Sequence, residues 1–216
     1  MTLLVDEGAV RGWLRDALGA DNSAMARLDT LVALLRDENQ RQNLVAAASL
    51  DQVWVRHIAD SAQLILVSSG TSGPWLDLGT GAGFPGLVVA LLDPAREVFL
   101  VESRAKRAAW LESVVAHFGL SGSRVIASRL EAVPSFDAAI ISARAFAPLE
   151  RLISLSARFS TSQTCWLLPK GRNGAKELSE MSETIQAMFH VEQSITDAEA
   201  VILVGEGQAP LPGRKP

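Results

Sequence analysis

Cysteine is almost absent from this chain. Its 216 residues include one cysteine, Cys165, which lies in an apolar run, so no internal disulfide can form and we expect the thiol to be buried. The three histidines, His57, His117 and His190, are far apart, and no spacing typical of metal ligands occurs. The sequence therefore predicts that the protein holds no metal.

Long apolar runs are missing as well. No apolar stretch reaches the about 18 residues that a membrane-spanning helix requires. The first residues, Met1–Glu7, lack the basic start and continuous apolar core of a signal peptide. We therefore expect a cytoplasmic protein, without a membrane partner and acting as a monomer. A hydrophobic content of 48% is enough for one sizeable core and a small appendage.

Positive charge is scarce overall but unevenly distributed. The net charge is −4, yet residues 100–180 carry +4, whereas residues 1–99 carry −5 and residues 181–216 carry −3. Within the positive stretch, Lys106, Arg107, Lys170 and Arg172 follow predicted strands or open helices, where their side chains can converge on one rim. We interpret them as candidate RNA-binding residues, and a solvated helix face is the alternative for each one.

A glycine-rich turn between two apolar runs is the most informative motif. The first run, from Trp75, ends in Asp77 and the glycines Gly79, Gly81 and Gly83, and the second run ends in Glu102. This order predicts a strand, a tight turn, a helix and a second strand. Because the second acid lies 23 residues after the first glycine, near the roughly 20-residue offset of a ribose-binding carboxylate, the motif predicts a nucleotide-cofactor site.

The glycine spacing distinguishes among cofactors. In a dinucleotide site of the form G-x-G-x-x-G, the third glycine comes one residue later than it does here, and no lysine follows the turn as a P-loop requires. The remaining pattern, D-x-G-x-G-x-G, is that of class I S-adenosylmethionine-dependent methyltransferases. It makes Asp77, Gly79, Gly81, Gly83 and Glu102 candidate cofactor-binding residues. The alternative is a glycine-rich turn in an ordinary α/β fold.

The order of predicted elements gives the fold class. From residue 70 onward strand and helix signals alternate, which predicts a doubly wound parallel sheet with helices on both faces. Seven strands are predicted, at Trp75–Leu78, Val98–Glu102, Arg124–Ala127, Asp137–Ser142, Cys165–Pro169, His190–Ile195 and Ala200–Val204. Four helices are predicted between them, at Pro85–Leu92, Lys106–Phe118, Leu149–Phe159 and Ala175–Met188. No helix separates the last two strands, so we expect an antiparallel hairpin at one edge of this class I methyltransferase (Rossmann-like) fold.

Residues 1–69 have helical periodicity and no strand signal, which predicts an N-terminal helical cap. One helix, Val53–Leu66, is expected to start near Asp51 and to pack on the sheet. We therefore divide the chain into a cap at 1–69, a methyltransferase domain at 70–207 and a flexible tail at 208–216.

Six ordered strings resemble one known family. They are Arg56-His-Ile-Ala-Asp-Ser61, Gly79-Thr-Gly-Ala-Gly-Phe-Pro-Gly86, Glu102-Ser-Arg-Ala-Lys-Arg107, Ser128-Arg-Leu-Glu131, Ser142-Ala-Arg-Ala-Phe146 and Pro169-Lys-Gly171. In their order and spacing the chain resembles the glucose-inhibited division protein B family, from about Asn39 to Gly171. Members of that family are bacterial methyltransferases that act on N7 of a guanine in 16S rRNA of the small ribosomal subunit.

The resemblance implies roles for particular residues. It places Gly79 and Phe84 in the cofactor loop, Leu130 and Glu131 beside the adenine, and Arg144 at the cofactor site. The chain departs from the family's pattern at Glu102, where Asp is more common, and in the extra Ala143 before Arg144. A glutamate can still reach ribose oxygens, whereas the extra alanine bears on how Arg144 is oriented.

The residues after the fourth predicted strand bear on the reaction type. Enzymes that methylate exocyclic amines carry two prolines and an aromatic residue there, but this chain reads Ser142-Ala-Arg-Ala-Phe146. A C5-pyrimidine mechanism requires a cysteine nucleophile on a loop, and Cys165 lies within a predicted strand. Guanine N7 remains, because its lone pair attacks without prior deprotonation.

Two basic residues are candidates for the catalytic site. Arg144 follows the fourth predicted strand and Lys170 ends the fifth, on the cofactor side. Basic residues there can hold phosphates or the guanine O6. His57 can touch RNA or the cofactor, but we favour a histidine bonded to a nearby acid that packs the cap on the sheet.

Three functions stay open at this point. The first is S-adenosylmethionine-dependent methylation of guanine N7 in 16S rRNA, on naked RNA or on a small-subunit particle. The second is an RNA-binding or ribosome-assembly module without catalysis, and the third is a small-molecule methyltransferase. Cofactor affinity separates the second from the others.

Overall fold

The N-terminal part of the chain is helical. The structure, a computed structural model, describes residues 3–68 and 70–211. Its first three helices are α1 (Glu7–Leu18), α2 (Asn22–Asn39) and the short α3 (Ala47–Asp51). The first two begin where an aspartate side chain accepts a hydrogen bond from a free backbone N–H of the first turn, and Asp6 and Asp21 supply these caps. A turn of π-helix, Trp54–Ala59, then continues directly into α4 (Asp60–Val67).

A seven-stranded sheet with five further helices follows. The strands are β1 (Trp75–Leu78), β2 (Val98–Val101), β3 (Ser123–Ile126), β4 (Ile140–Ala143), β5 (Cys165–Lys170), β6 (Phe189–Gln193) and β7 (Val201–Glu206). The helices are α5 (Gly86–Leu92), α6 (Ala105–Phe118), α7 (Leu149–Ser156), α8 (Gly174–Ser179) and α9 (Glu183–Met188). None of the helices in the described ranges has the length and apolar character needed to cross a membrane.

The strand order places a switch point in the middle of the sheet. The order is β3-β2-β1-β4-β5-β7-β6, with β1 to β5 parallel and β7 antiparallel to both of its neighbours. This confirms the predicted doubly wound sheet and its antiparallel edge hairpin. Because the chain crosses from β1 outward in both directions, a crevice opens beyond the carboxyl ends of β1 and β4.

Each face of the sheet has its own hydrophobic core. One core joins the N-terminal helices to α5 and α6, since Leu28, Leu35 and Ile58 are buried together with Leu87 and Leu111. The other core lies under α7, α8 and α9 on the opposite face. The N-terminal helices thus cover part of one face of the sheet and share its core.

One predicted helix is interrupted. The predicted Ala175–Met188 is two short helices, α8 and α9, because Ser182 adopts an extended backbone that begins a new helix. The side chain of Gln186 donates to the carbonyls of Ser179 and Met181 and so satisfies the end of the first helix.

Other boundaries shift by a few residues. Strand β4 starts at Ile140 rather than Asp137, because the N–H groups of Ala138 and Ala139 bond to Phe159 O and Pro74 O. In the predicted tail, Ala209 is buried and its N–H donates to Ser160 Oγ at 3.0 Å. Residues 212–216 lie outside the described residues.

Candidate active site

Two clefts meet at the carboxyl ends of the parallel strands. The smaller cleft has a volume of about 440 Å³ and the larger cleft about 780 Å³. The smaller cleft is lined by turns that follow β1, β2 and β3, including Gly79, Ser103, Leu130 and Glu131. The larger cleft lies between the N-terminal helices, the end of β5 and the loop between β6 and β7. The segment 146–148 lines both clefts, so they are separated by a wall one segment thick.

The glycines of the turn after β1 are required for different reasons. Gly79 has a φ of 62°, and a Cβ on it would lie 2.4 Å from Phe146 Cδ2. Gly83 has a φ of 108°, and a Cβ on it would lie 2.2 Å from Leu87 Cδ1. Gly81 has φ of 59°, but its nearest neighbour would be Arg107 Nη1 at 3.6 Å. At this position the backbone conformation, and not crowding by the protein, favours glycine.

The acid at the end of β2 is tied to the glycine turn. Glu102 is buried; its Oε2 accepts from Gly81 N at 3.0 Å and its Oε1 from Arg104 N at 2.7 Å. A carboxylate oxygen has a second lone pair, so Glu102 can also accept from a ligand hydroxyl. The glutamate, which stands where the family more often has Asp, thus holds the glycine turn through its backbone N–H group.

Asp77 forms the base of the same turn. It is fully buried, and its carboxylate accepts from Gly86 N at 2.9 Å and from Ser142 Oγ at 2.8 Å, while Ser142 accepts from Trp75 Nε1. Burial raises the pKa of the Asp77 carboxyl. Its contacts therefore hold the start of α5 against β4 at the base of the glycine turn.

The residues after β3 form the far end of the smaller cleft. Leu130 opens a turn of 3-10 helix, Leu130–Ala132, and is buried, whereas Glu131 is exposed with its Oε1 3.9 Å from Arg151 Nη2. The carbonyl of Leu130 accepts a hydrogen bond from Arg158. This end thus offers an apolar surface and a carboxylate.

Arg144 is directed toward the N-terminal helices. It lines the larger cleft, where its Nη1 donates to Arg56 O at 2.9 Å and to Asp60 Oδ2 at 3.1 Å. Its guanidinium carbon lies 5.3 Å from the centre of the Phe84 ring. The next residue, Ala145, has φ of 52°, a strained value for a side chain with a Cβ. Arg144 therefore joins the end of β4 to the helical cap and to the glycine turn.

His57 packs as expected but with a different partner. Its ring stacks on Phe84 with centroids 4.8 Å apart, its Nδ1 accepts from Arg144 Nη2 at 3.0 Å, and its Nε2 lies 3.1 Å from Ser49 Oγ. The prediction of a bond to an acid was wrong, because the nearby carboxylate of Asp60 pairs with the arginine. Burial, and then the charges of Arg144 and Arg56, lower the pKa of His57 to about 3, so the ring is neutral.

The four predicted RNA-binding residues form two pairs. Lys106 and Arg107 lie at the start of α6, beyond β2, whereas Lys170 and Arg172 lie at and after the end of β5. Three strand spacings, about 14 Å, separate β2 from β5. The pairs thus flank the clefts on opposite sides instead of converging on one rim.

The pair beyond β5 is already bonded to acids. Lys170 Nζ lies 2.8 Å from Glu177 Oε2 in the larger cleft, and Arg172 Nη2 lies 3.2 Å from Glu199 Oε2 on an exposed surface.

Several residues of the larger cleft were not found from the sequence. Asp60 accepts from Gln63 and Thr196 as well as from Arg144, and Gln63 Oε1 accepts from Ile195 N at 3.0 Å. These partners are 84 to 136 residues apart in the chain, except for the neighbouring Gln63. In the sequence, only the string Arg56-His-Ile-Ala-Asp-Ser61 pointed to this side of the larger cleft.

Comparison with known proteins identifies close relatives of the chain. Residues 24–203 match the family described as rRNA small subunit methyltransferase G, GidB. The chain is similar to ribosomal RNA small subunit methyltransferase G of Erythrobacter litoralis, at 57% identity covering 88% of this chain and 91% of the relative. It is similar to the protein of the same name from Novosphingobium aromaticivorans, at 54% identity covering 97% and 93%. These matches confirm the resemblance seen in the six strings.

Solved structures share the fold at low identity. MtNAS, crystallised as a mutant in complex with S-adenosylmethionine, has a TM-score of 0.55 and 14% identity, covering 95% of this chain and 85% of that one. The fibrillarin pre-rRNA processing protein of Methanococcus jannaschii has a TM-score of 0.52 and 17% identity, covering 65% and 68%. They confirm the class I methyltransferase fold.

Proposed function

The chain belongs to the rRNA small subunit methyltransferase G family, and from this premise we propose that it transfers a methyl group from S-adenosylmethionine to N7 of one guanine in 16S rRNA. Family membership makes it an rRNA methyltransferase. The two other functions considered from the sequence, an RNA-binding module without catalysis and a small-molecule methyltransferase, are therefore set aside. The observation that carries the finer proposal is the pair of clefts that share the wall 146–148. One cleft has the features of a cofactor site, and the other leaves room for a base.

The smaller cleft fits S-adenosylmethionine in size and in chemistry. Its volume of about 440 Å³ suits a nucleoside with a short amino-acid arm. Leu130 offers an apolar surface to an adenine, and Glu102 lies where the ribose hydroxyls are expected. Gly79 and Gly81 bring backbone close to the methionine end, with Phe84 beside the turn. Bound there, the cofactor supplies an electrophilic methyl group on a sulfonium.

The residues around the shared wall favour a nucleophile that needs no base. His57 has a pKa of about 3 and its Nδ1 accepts from Arg144, so it is a poor proton acceptor. Cys165 begins β5, at the end of the sheet opposite the clefts, and burial raises the pKa of its thiol to about 11, so it does not supply a thiolate for C5-pyrimidine chemistry. Guanine N7 carries a free lone pair, so neither group is required.

Catalysis then rests on alignment and on exclusion of water. Phe146 packs on Gly79 and so holds the shared wall close to the cofactor turn. Arg144 and Lys170 line the larger cleft on either side of the base and can donate to guanine O6 or to a phosphate. The contacts of Arg144 and Phe146, on either side of Ala145, hold its strained backbone in place.

Three basic residues outside the larger cleft are positioned to hold RNA phosphates on its two sides: Lys106, Arg107 and Arg172.

Under this proposal the enzyme is a cytoplasmic monomer that requires no metal, and its partner is 16S rRNA or a small-subunit particle. The cap at 1–69 supplies one wall of the substrate site, and the domain at 70–207 supplies the cofactor site.

The test is a mapping of the methylated atom. Purified protein and methyl-labelled cofactor are incubated with 16S rRNA, or with small subunits, from cells that lack the enzyme, and nucleosides are analysed by mass spectrometry. We expect 7-methylguanosine at one position, and no label with Gly81→Asp. Label in 1-methylguanosine, N2-methylguanosine or an adenosine would overturn the proposal.

A further inference from the structure

Three carboxylates line the larger cleft, and they differ in what they still can bind. Both oxygens of Asp60 are used, by Arg144 on one side and by Gln63 and Thr196 on the other. Both oxygens of Asp197 are used as well, by Arg56 and by Glu199 N. Glu177 is different, because Lys170 Nζ at 2.8 Å and Leu149 N at 3.3 Å both bond to its Oε2. Among the described residues, nothing donates to its Oε1.

The geometry points to Glu177 as the residue that selects guanine in the larger cleft. This inference rests on the proposed function and adds the group that reads the base. A flipped-out base is recognised at its Watson–Crick edge, and guanine presents there one acceptor, O6, followed by two donors, N1–H and the 2-amino group. Lys170 presents a donor to O6, and the free oxygen of Glu177, which has two lone pairs, can accept from both N1–H and the 2-amino group. Adenine carries the opposite order, so its N1 lone pair would face the carboxylate.

The position of Glu177 supports this role. It lies on α8 after β5, and its bond to Leu149 N joins it to the start of α7, which directly follows the shared wall 146–148. Its side chain is about one-third exposed while that of Lys170 is largely buried, so the carboxylate is the more accessible member of the pair. A base held there by its Watson–Crick edge keeps N7, on the other side of the ring, free to face the cofactor cleft.

The same carboxylate helps the reaction. Attack by N7 forms a bond from the guanine nitrogen to the methyl carbon while the bond from carbon to sulfur breaks, and the sulfur keeps that electron pair. Positive charge therefore moves from the sulfonium to the purine, where N1–H becomes a stronger donor. A carboxylate that accepts from N1–H stabilises this charge as it develops.

The substitution Glu177→Gln separates base reading from structural support. Two donors, Lys170 Nζ and Leu149 N, hold the Oε2 position, so the amide oxygen of glutamine must lie there and its NH₂ must replace Oε1. The NH₂ then faces the donors of guanine. The lysine stays bonded, and cofactor affinity, measured by calorimetry, reports whether the smaller cleft is intact.

The experiment compares guanine with inosine at the modified nucleotide of a ligated 16S rRNA in single-turnover assays. Inosine lacks the 2-amino group but keeps O6, N1–H and N7. We expect wild-type kcat/KM to fall about 10- to 100-fold from guanine to inosine, and Glu177→Gln to discriminate by less than about 3-fold. Glu180→Gln, which changes an exposed carboxylate at the end of the same helix, should behave as wild type.

Two results would overturn the inference. One is a Glu177→Gln variant that keeps the full preference for guanine, with or without a slower rate, which would make Glu177 a positioning residue for Lys170. The other is wild-type enzyme that does not distinguish the two bases. Failure of the proposed function would be recognised separately, since wild-type enzyme would then place the methyl group on an atom other than guanine N7.

Discussion

The two clefts differ in how their walls are held. The smaller cleft is formed by turns after β1, β2 and β3, and a buried carboxylate, Glu102, fastens its glycine turn through backbone N–H groups. The larger cleft is assembled by side chains from distant segments, with Arg144 bonded to Asp60 and Arg56 to Asp197. The first wall depends on backbone conformation and the second on charge pairs. We therefore expect single substitutions to affect the two ligands separately.

The largest effect is expected from Gly81→Asp. A side chain there would have to adopt a φ of 59°, and it would add a carboxylate beside the backbone N–H that Glu102 holds, so cofactor affinity should fall by about 100-fold or more. Calorimetry with S-adenosylmethionine checks this.

The matched control for that substitution is Gly119→Asp. Gly119 has nearly the same φ, 61°, and open space around it, but it ends α6 at a distance from the turn. It should lose a little stability and no affinity. Equal affinities for Gly81→Asp and wild type would remove the turn from the cofactor site.

Arg144→Ala should lower methyl transfer more than RNA binding. The guanidinium joins the cap, His57 and the end of β4, and misplacement of a reacting group by about 1 Å costs about 100-fold in rate. Single-turnover methylation at saturating RNA should fall by that factor, and Arg144→Lys should not restore it, because an ammonium cannot reach all three partners. A variant that loses RNA affinity but keeps its rate would contradict this role.

Glu102→Ala should weaken cofactor binding by about 1–3 kcal/mol. The loss combines ribose hydrogen bonds with the two backbone N–H groups that the carboxylate now holds. Glu102→Asp keeps the charge and should lose less. If calorimetry gave the same affinity for alanine and wild type, another residue would hold the ribose.

His57 predicts a dependence of stability on pH. Its pKa is about 3 in the folded protein and near 6.5 when unfolded, so the unfolded chain binds the extra proton and stability falls as the pH drops below 6.5. Between pH 6.5 and 5 this group should account for about 1.5 kcal/mol.

Denaturant melts of wild type and His57→Gln across that range measure the His57 contribution. The difference between their free energies of unfolding should shrink as the pH falls. Parallel curves for wild type and His57→Gln would show that the ring is not held neutral.

The smallest effects belong to the phosphate contacts. Log K for RNA should fall linearly with log salt, and Lys106→Ala, Arg107→Ala and Arg172→Ala should each reduce the slope by roughly 0.7 to 0.9. Cofactor affinity should stay nearly unchanged. Arg124→Ala, at the amino end of β3 and so at the other end of the sheet, is the control for filter binding. Three unchanged slopes would mean that these residues form a solvated face.

The sequence predicted the order of strands and helices in the sheet and the glycine turn that lines the smaller cleft. A glycine turn, its flanking strands and Glu102 lie within about 30 residues, and local patterns of this kind predict backbone structure well. Strand β1 was predicted to the residue, while β4 was displaced by hydrogen bonds to residues far along the chain.

Most contacts between the residues of the larger cleft could not be predicted from sequence patterns. Glu177 and Asp60 are ordinary acids in helical sequence, and only the folded chain shows that one has a free oxygen and the other has none. The partner of His57 could not be inferred either, because Arg144 comes 87 residues later. Charge pairs between distant segments carry no periodic signal.

Hydrogen bonds between the N-terminal cap and the loop that joins β6 to β7 bear on the order in which the two clefts form. Leu4 N bonds to Ile195 O, and Gln63 bonds to Ser194 and Ile195 across more than 130 residues. Such distant contacts form late, and a chain emerging from the ribosome has completed the smaller cleft by Leu155, well before β6 exists. The growing chain thus has every lining residue of the smaller cleft before it has those of the larger one. Under the proposed function, an unfinished chain lacks one wall of the site for ribosomal RNA.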